Sequence, residues 1–430
     1  MKTRIYNAKI ITMVNGTDII EGEIHIEDEC ISFVGTAEEA GKIKDGIVWD
    51  REIDACGNVV MPGFKDAHTH SAMTFLRSYA DDLPLQEWLY NRVFPMEAKL
   101  TEEDVLWCSK LAIMEYLTSG ITANFDMYMN NEANAKASAD TGFRTVLCGS
   151  INDFGGTIEE IEEEYKHFNN YGSSLISYQL GFHAEYTTKR ETLEGMAGLA
   201  QKYKAPVYTH NSETKAEVEG CVERYGKTPT AFLDSIGMFN YGGGGFHCVY
   251  MTDEDLNICK EKNIWVVTNP ASNVKLASGI APVKKMLDMG IGLAIGTDGP
   301  ASNNCLDMFR EMFLVTALQK VSIPDAAAVD ANDVLYMATV GGALSMGLTD
   351  CDTLEKGKCA DLIMIDMHQP NMQPVNNISK NIVYSGSKQN VKMTMVAGKI
   401  LYEDGKFNIG TDAEEVYAKA NESITRMKQA

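Results

Sequence analysis

The chain has 430 residues, enough for a large catalytic domain with a smaller companion, and no apolar run approaches the roughly 20 residues that span a bilayer. Its formal net charge of −22 disfavours nucleic acid and anionic membrane surfaces as partners. The ten cysteines are scattered without a Cys-x-x-Cys pair, so we expect reduced thiols in a cytoplasmic protein, with a homo-oligomer left open.

The two ends of the chain carry strand patterns. Residues 3–13 and 22–35 alternate short apolar and polar runs that are separated by Gly and Asn turns. The same alternation of apolar and polar runs is found in residues 358–367 and 391–407, where the sequence Val396-Ala397-Gly398-Lys399 has the pattern of a hairpin turn. The ends therefore predict one small β-sandwich domain, built from residues 1–60 and 350–430.

The middle of the chain, residues 61–349, alternates apolar strand candidates with helical runs. The strand candidates include "GITANFDMY", "RTVLCGSI", "ISYQLGFHA", "APVYTHNSE", "GGGFHCVY", "IWVVTNP" and "IGLAIGTDG". About eight repeats of strand and helix predict a (β/α)8 barrel catalytic domain. A doubly wound open sheet is the competing fold, but no Gly-x-Gly-x-x-Gly motif follows a strand.

A histidine pair, His68 and His70, follows a Pro-Gly turn at the start of this domain. In a strand, residues two apart point to the same face, so both imidazoles would converge on one point. An isolated pair of this kind is weak evidence for a metal, because surface or core histidines produce the same pattern.

Other polar residues stand at the ends of later strand candidates. His210 and His247 end two of them, Asp298 ends a third, and Glu213 follows His210 by three residues. Singly, each could be an ordinary hydrogen-bonded histidine or turn aspartate. The carboxyl ends of barrel strands all meet at one face, so jointly these residues favour a metal-ligand site. The potential ligands are His68, His70, His210, His247 and Asp298.

Five motifs, "PGFKDAHTH", "THNSE", "HCV", "NPASNVKLASGIAPV" and "GTDGPASNN", resemble the amidohydrolase superfamily. More narrowly they resemble its deaminases acting on methylthioadenosine and S-adenosylhomocysteine, over nearly the whole chain. The resemblance implies an α/β protein with a distorted (β/α)8 TIM barrel and a metal. It also implies hydrolytic deamination of an adenosine-type nucleoside, which releases ammonia and an inosine-type product. The candidate substrates are 5′-deoxyadenosine, 5′-methylthioadenosine, adenosine and S-adenosylhomocysteine.

The resemblance also implies a ligand set for one divalent metal, namely His68, His70, His210 and Asp298. Zinc is the expected metal, with Fe²⁺ and Mn²⁺ as alternatives, and it would lower the pKa of its bound water to roughly 7. A second metal would need a bridging lysine on the fourth barrel strand, and "ISYQLGFHA" has none. We therefore expect one metal.

Three residues receive catalytic roles from the same resemblance. Asp298 would take the proton of the attacking water, and His247 would orient the hydroxide. Glu213 would protonate the ring nitrogen beside the carbon under attack, which provides an acid separate from the base.

The substrate contacts implied by the family are Trp88, Glu97, His183, Glu213 and Asp298. Residues 83–100 would form a lid, in which Trp88 packs against the nucleoside and Glu97 binds the ribose hydroxyls. His183 would touch the base. From the residues alone, a core tryptophan and a solvated glutamate would be favoured at the first two positions.

Relatives that favour S-adenosylhomocysteine hold its carboxylate with arginine from loops just before the position of His183. Residues 148–189 of this chain contain no arginine and carry "TIEEIEEEY" instead. The glutamates alone are typical of a solvated helix face. Without an arginine, we expect substrates with a neutral 5′ group to be preferred.

Two rival functions stay open. Another amidohydrolase, such as a guanine deaminase or a triazine hydrolase, would share the metal chemistry, although Glu97 would have little purpose with a bare heterocycle. A non-catalytic scaffold is a more remote alternative, because such proteins lose metal ligands and every expected ligand is present here.

Overall fold

The computed structural model describes residues 1–43 and 46–429 of the chain. In the order of the sequence, the strands are β1 (Lys2–Met13), β2 (Gly16–Glu27), β3 (Cys30–Thr36), β4 (Arg51–Asp54), β5 (Val59–Pro62), β6 (Phe64–Thr69), β7 (Ile121–Met127), β8 (Arg144–Cys148), β9 (Ile176–Ala184), β10 (Val207–Asn211), β11 (Gly243–His247), β12 (Ile264–Thr268), β13 (Leu293–Ile295), β14 (Leu362–Ile365), β15 (Val391–Val396), β16 (Lys399–Glu403) and β17 (Lys406–Phe407).

The α-helices are α1 (Ala37–Gly41), α2 (Leu85–Trp88), α3 (Phe94–Glu97), α4 (Glu102–Thr118), α5 (Asn131–Thr141), α6 (Ile158–Phe168), α7 (Arg190–Tyr203), α8 (Lys215–Tyr225), α9 (Pro229–Ser235), α10 (Asp253–Glu261), α11 (Pro270–Lys275), α12 (Val283–Met289), α13 (Met308–Ser322), α14 (Ala331–Tyr336), α15 (Gly342–Ser345), α16 (Ile378–Lys380) and α17 (Ala413–Gln429). None of these helices, within the residues described, has the length and apolar character needed to cross a membrane.

In the described residues, eight consecutive parallel strands, β6 to β13, form the barrel, with each strand paired to the next along the chain. Helices follow most of the strands, as the alternating apolar pattern predicts. The loop after β13 returns to β6, where the backbone N–H of Asp298 donates to the His68 carbonyl at 2.9 Å. The predicted fold class is confirmed.

A separate mixed sheet combines the first strands of the chain with the last ones. Its order is β17-β16-β15-β14-β5-β1-β2-β3, with β4 paired to β1. The predicted hairpin is present: Val396 pairs with Lys399 across Ala397 and Gly398, whose φ angles are 46° and 72°. Positive φ at both central residues matches the right-handed twist of the two strands.

The C-terminal part of the range 350–430 also contains α17, which packs on the barrel rather than on this sheet. Ala420 and Met427 of α17 are buried in one apolar cluster with Val105 and Cys108 of α4. The Lys99 ammonium donates to the Met427 carbonyl at 2.8 Å. The last residue of the range, Ala430, lies outside the described residues.

A buried ion pair joins the barrel to the sheet. Arg144 stands at the start of β8, and its guanidinium contacts the two carboxylate oxygens of Asp361 at 2.7 and 3.1 Å. Arg144 also donates to the Ser174 carbonyl at 3.0 Å. This arginine is thus engaged at the amino ends of the barrel strands, opposite the face where the site residues lie.

Candidate metal and catalytic site

The carboxyl ends of the barrel strands bring together the predicted ligands. His68 is in β6, His210 in β10, and His247 is the last residue of β11. His70 lies just beyond β6, and its ring centroid is 4.9 Å from that of His68. The potential ligand atoms lie within 4.8 Å of one another in each of two groups that share His68. One group is His68, His70 and His210, and the other is His68, His247 and Asp298.

Asp298 differs from its predicted place, because β13 ends three residues earlier, at Ile295. The chain leaves the strand ladder because the buried Asp66 carboxylate accepts hydrogen bonds from the Thr297 N–H at 2.8 Å and the Thr297 hydroxyl at 2.6 Å. A side chain at Gly296 would also meet the His68 backbone at 2.7 Å. The resulting turn, with φ of 59° at Asp298, still directs the carboxylate to the histidines.

His70 and His210 have their outer ring nitrogens fixed by backbone carbonyls. Nδ1 of His70 faces the Met127 carbonyl, and Nδ1 of His210 lies 2.6 Å from the His183 carbonyl. A carbonyl only accepts, so both Nδ1 atoms carry the proton, and in neutral rings both Nε2 atoms present lone pairs. These two Nε2 atoms are only 3.3 Å apart. Two lone pairs this close repel each other, so a cation is needed between the two Nε2 atoms.

Asp298 adds a third acceptor to this point. Its Oδ1 lies 3.2 Å from Nε2 of His70 and 3.7 Å from Nε2 of His68. Burial opposes its ionisation, but interactions with the neighbouring imidazoles of His70, His247 and His68 outweigh burial, and the pKa of Asp298 lies well below its ordinary value. An ionised carboxylate among imidazole lone pairs forms the donor set of a divalent metal site.

His68 is fully buried, and neither of its ring nitrogens has a hydrogen-bond partner in the described part of the chain. Its ring stacks on Phe246 with centroids 3.8 Å apart, which fixes its orientation. Burial and the neighbouring His210 lower the pKa of His68 well below its ordinary value. Neutral imidazole is the ligating form, and a buried unpaired nitrogen is costly unless a ligand satisfies it. These residues fit a metal ion.

Glu213 and His247 face each other beside this centre, with Glu213 Oε2 3.9 Å from His247 Nε2. The Ser278 hydroxyl donates to Glu213 Oε1 at 3.0 Å, and Nδ1 of His247 donates to Asn273 Oδ1 at 2.7 Å. The Asn273 contact leaves Nε2 of His247 as an acceptor that points into the site. Burial raises the pKa of Glu213, which favours a carboxyl group that can carry a proton.

Glu217 holds the turn that carries Glu213. Its carboxylate accepts from the N–H groups of Ser212 at 2.7 Å, Glu213 at 2.8 Å and Thr214 at 3.4 Å. Ser212 has a φ of 53°, a left-handed conformation that this carboxylate stabilises. Burial raises the pKa of Glu217 to about 7.

The cavity beside these residues is lined by Trp88, Glu97 and His183, three of the residues predicted for substrate contact. Trp88 is 6% exposed, and its indole Nε1 has no partner among the described residues. The Tyr128 hydroxyl donates to Glu97 Oε1 at 2.7 Å. His183 Nδ1 lies 2.8 Å from the Thr187 hydroxyl, and burial lowers the pKa of His183 to about 4. The ring of His183 is therefore neutral at pH 7.

Several residues of the site carry no role in the sequence analysis. The hydroxyls of Ser272 and Ser302 donate to Asp298 Oδ2 at 2.5 and 2.8 Å, and Asn273 and Ser278 hold His247 and Glu213. Ser272, Asn273 and Ser278 all belong to the motif "NPASNVKLASGIAPV". The position of these polar residues after a buried strand could have marked them as site residues. Their individual hydrogen-bond partners could not be predicted, because the partners depend on the path of the loop.

Comparisons with known proteins agree with this geometry. The chain matches the Amidohydrolase family over residues 59–401. It is 40% identical over 419 residues to the 5-methylthioadenosine/S-adenosylhomocysteine deaminase of Moorella thermoacetica, which covers 96% of this chain and 97% of that protein. An adenosine deaminase from Xanthomonas campestris, solved with bound zinc, gives a TM-score of 0.94 at 31% identity, covering 100% of this chain and 99% of the other. An atrazine chlorohydrolase from Arthrobacter aurescens TC1 gives a TM-score of 0.89 at 21% identity, covering 98% and 100%, a likeness of fold alone.

Proposed function

The chain belongs to the amidohydrolase family, and on that basis we propose that it hydrolyses the exocyclic amino group of an adenosine-type nucleoside. The products are ammonia and the inosine-type nucleoside. The observation that carries the proposal is the pair of Nε2 lone pairs on His70 and His210, 3.3 Å apart and facing the Asp298 carboxylate, with Glu213 close by. The deaminase and adenosine deaminase relatives support the same reaction class.

We assign the metal to His68, His70, His210 and Asp298, with zinc as the ion. A divalent metal held by these four residues would lower the pKa of a bound water to about 7 and would so supply hydroxide at neutral pH. The hydrogen bonds from Nδ1 of His70 and His210 to backbone carbonyls hold the two rings in the ligating tautomer. Zinc with three nitrogen ligands and one oxygen ligand is consistent with the zinc in the adenosine deaminase relative.

The protein's own side chains handle the protons. Asp298 takes a proton from the attacking water and passes it to the exocyclic amino group, which leaves as ammonia when its bond to the ring carbon breaks. His247 accepts a hydrogen bond from the attacking water through Nε2. Glu213 donates a proton to the ring nitrogen next to the carbon under attack, so that negative charge does not build up on the base. The proton of the newly added hydroxyl returns to Glu213 as the carbonyl forms. Ser278 and Asn273 keep Glu213 and His247 in these orientations.

Trp88, Glu97 and His183 bind the nucleoside. Trp88 offers an apolar face at the cavity wall, and His183, being neutral, can contact the base without charge repulsion. The free carboxylate oxygen of Glu97 accepts hydrogen bonds from the ribose hydroxyls. A ribose-binding carboxylate favours nucleosides over the bare heterocycles of guanine deaminases and triazine hydrolases.

A substrate screen tests the proposal. The protein is loaded with zinc and offered adenosine, 5′-deoxyadenosine, methylthioadenosine, adenine, guanine and a chlorotriazine, with ammonia release and the ultraviolet shift to hypoxanthine as readouts. We expect deamination of the nucleosides with kcat/KM at least about tenfold above that of adenine, because charged hydrogen bonds to ribose contribute about 1.5–3 kcal/mol each. Equal use of adenine and adenosine would favour the bare-heterocycle rival, and no turnover of any nucleoside would contradict the proposal.

We further propose one metal per chain. The described residues that line the cavity include no lysine that could bridge a second ion. Protein purified with added zinc should contain about one equivalent by elemental analysis, and His210→Ala should lose it. Two equivalents that are both required for activity would contradict a mononuclear site.

A further inference from the structure

A second cavity adjoins the catalytic one on the side of Glu97. The two cavities share a wall that includes Phe94, Glu97, Tyr128 and Ser150. The second one, here called the annex, extends from this wall to α6 and to residues 150–156. If Glu97 holds the ribose, the nucleoside lies at the junction of the two cavities. A substituent on its 5′ carbon can then enter the annex.

The charge of the annex has one sign. Its described lining contains four carboxylates and no lysine, arginine or histidine. Three of the four come from α6, and the fourth is the glutamate at the junction. The acidic residues are Glu97, Glu160, Glu163 and Glu164.

The three glutamates of α6 occupy positions i, i+3 and i+4, so they share one face of the helix. Like charges with this spacing destabilise a helix unless a cation neutralises them. Glu162, on another face, pairs with Lys166 and with Lys202 at 2.7 Å. In the part of the chain that the structure describes, no lysine or arginine forms an ion pair with the three glutamates that line the annex.

A buried amide provides an independent sign of a ligand. Asn131 lines the annex, is 4% exposed, and its Oδ1 has no hydrogen-bond partner in the described residues. Its Nδ2 donates to Glu164 Oε2 at 3.0 Å, and the Tyr178 hydroxyl donates to the same oxygen at 2.8 Å. Asn131 Oδ1 therefore remains a buried acceptor without a donor in the described part of the chain, and Glu164 Oε2, not Oε1, receives the two donors beside it. A buried polar atom of this kind calls for a partner, and here that partner must donate hydrogen bonds.

We propose that the annex binds a terminal ammonium group on the 5′ substituent of the nucleoside. The favoured substrates are then adenosines that carry an amine-ended 5′ chain and no carboxylate, instead of the neutral 5′ group expected from the sequence. An ammonium ion has three N–H donors, which suits the acceptors of Asn131 and Glu164 and the acidic face beyond them. A carboxylate in the same place would meet four acidic side chains. This inference rests on the proposed nucleoside deaminase activity and specifies its substrate class.

Three adenosine 5′-thioethers with the same three-carbon chain test the inference. The chain ends in an ammonium, a methyl or a carboxylate group, and deamination is followed at low ionic strength. We expect kcat/KM for the ammonium compound to be at least tenfold above that of the methyl compound, with the carboxylate compound lowest. Added salt should reduce the ratio of ammonium to methyl, because Glu160 and Glu163 are exposed to solvent.

Variants then locate the effect. The double variant Glu160→Gln/Glu163→Gln removes two charges from the annex and should bring the ammonium-to-methyl ratio close to one. Glu159→Gln is the matched control, because Glu159 is an exposed residue of the same helix outside the annex, and it should keep the wild-type ratio. A wild-type ratio of one or below, or a ratio unchanged in the double variant, would overturn the inference. Turnover of 5′-deoxyadenosine, measured alongside, separates this failure from failure of the deaminase proposal, since loss of both would overturn both.

Discussion

In the proposed mechanism, Glu213 is the side chain that protonates the ring before the attacking oxygen can add. One of its oxygens is fixed by the Ser278 hydroxyl, and the other faces His247. Glu213→Gln keeps the shape and hydrogen-bonding capacity of the side chain but cannot deliver a proton. We expect the variant to retain its metal and to lose at least about 10²-fold in kcat, the usual scale of general acid catalysis.

The control for this variant is Glu219→Gln. Glu219 lies on α8, close to Glu213 in sequence, and its side chain is 66% exposed in an ion pair with Lys215. It should keep both metal and activity. Loss of metal from the Glu213 variant, measured by elemental analysis, would make Glu213 a ligand and contradict the role of proton donor.

At the residue scale, the sequence predicted which candidate ligands converge better than it predicted the residues that support them. His68, His70 and His210 could be proposed because the carboxyl ends of barrel strands converge whatever the loops do. Asn273 and Glu217 could not, because the contacts of both side chains depend on the geometry of a loop or turn. The left-handed conformation of Ser212, which Glu217 stabilises, has no signature in the residue types alone.

At the scale of elements, the segment from α2 to α3 brings two of the proposed substrate-binding residues to the cavity. A π-helical turn, Leu89–Val93, connects the two helices, and Pro95 follows it in α3 without a backbone N–H to donate. Trp88 precedes the turn and Glu97 ends α3, and both line the cavity. The segment therefore acts as one wall of the site.

Glu97→Ala tests the role of this wall. Removing a carboxylate that accepts from the ribose hydroxyls should raise KM for adenosine, at a cost of a few kcal/mol at most, and should change kcat less. Steady-state kinetics with adenosine and adenine separate the effects, since adenine has no ribose and should respond little. A similar loss for both compounds would mean that Glu97 supports the wall instead of binding ribose. Glu87→Ala, an exposed position on α2, is the control.

Elements with a strong local pattern were predicted closely, and those defined by a distant partner were not. The strand candidate "GITANFDMY" contains β7, and the hairpin at Ala397 and Gly398 has the expected turn. The helix α17 buries Val416, Ala420 and Met427 on one stripe, a helical periodicity that was available in the sequence. The packing of α17 on α4 could not be predicted from the sequence, because periodicity gives the buried face of a helix but not the surface that covers it.

At the scale of the whole molecule, the barrel and the terminal sheet each follow from the order of their strands. The contact between the barrel and the terminal sheet does not follow from the order of the strands. Asp361 precedes β14, and its carboxylate receives both the Arg144 guanidinium of β8 and the backbone N–H of Ala397 at 2.7 Å. Sequence separation of 217 residues between Arg144 and Asp361 hides this pair, since an arginine at the start of a strand is ordinarily exposed.

The Arg144–Asp361 pair makes a prediction about stability. Both side chains are almost fully buried, so removing one leaves an uncompensated buried charge. Asp361→Leu or Arg144→Met should each lower the free energy of unfolding by about 3–5 kcal/mol, whereas the double variant Arg144→Met/Asp361→Leu should cost much less than the sum. Denaturant unfolding of the wild type, the two single variants and the double variant measures this coupling. Lys392→Met is the control: it removes a surface ion pair with Asp404 and should lower the free energy of unfolding by at most about 1 kcal/mol. Additive losses would contradict the coupling.

The same pair gives the sign of a pH dependence. Burial opposes ionisation of Asp361, but the charge and hydrogen bonds of Arg144 outweigh it, and the pKa of Asp361 is lowered from its ordinary value. A carboxyl group with a lowered pKa in the folded state contributes stability above its unfolded pKa of about 3.9 and loses it as the pH falls through the folded value. The difference in unfolding free energy between wild type and Asp361→Asn should therefore be full near pH 7 and shrink below about pH 4. A difference that stayed constant as the pH fell would mean that the ionised Asp361 does not stabilise the contact between barrel and sheet.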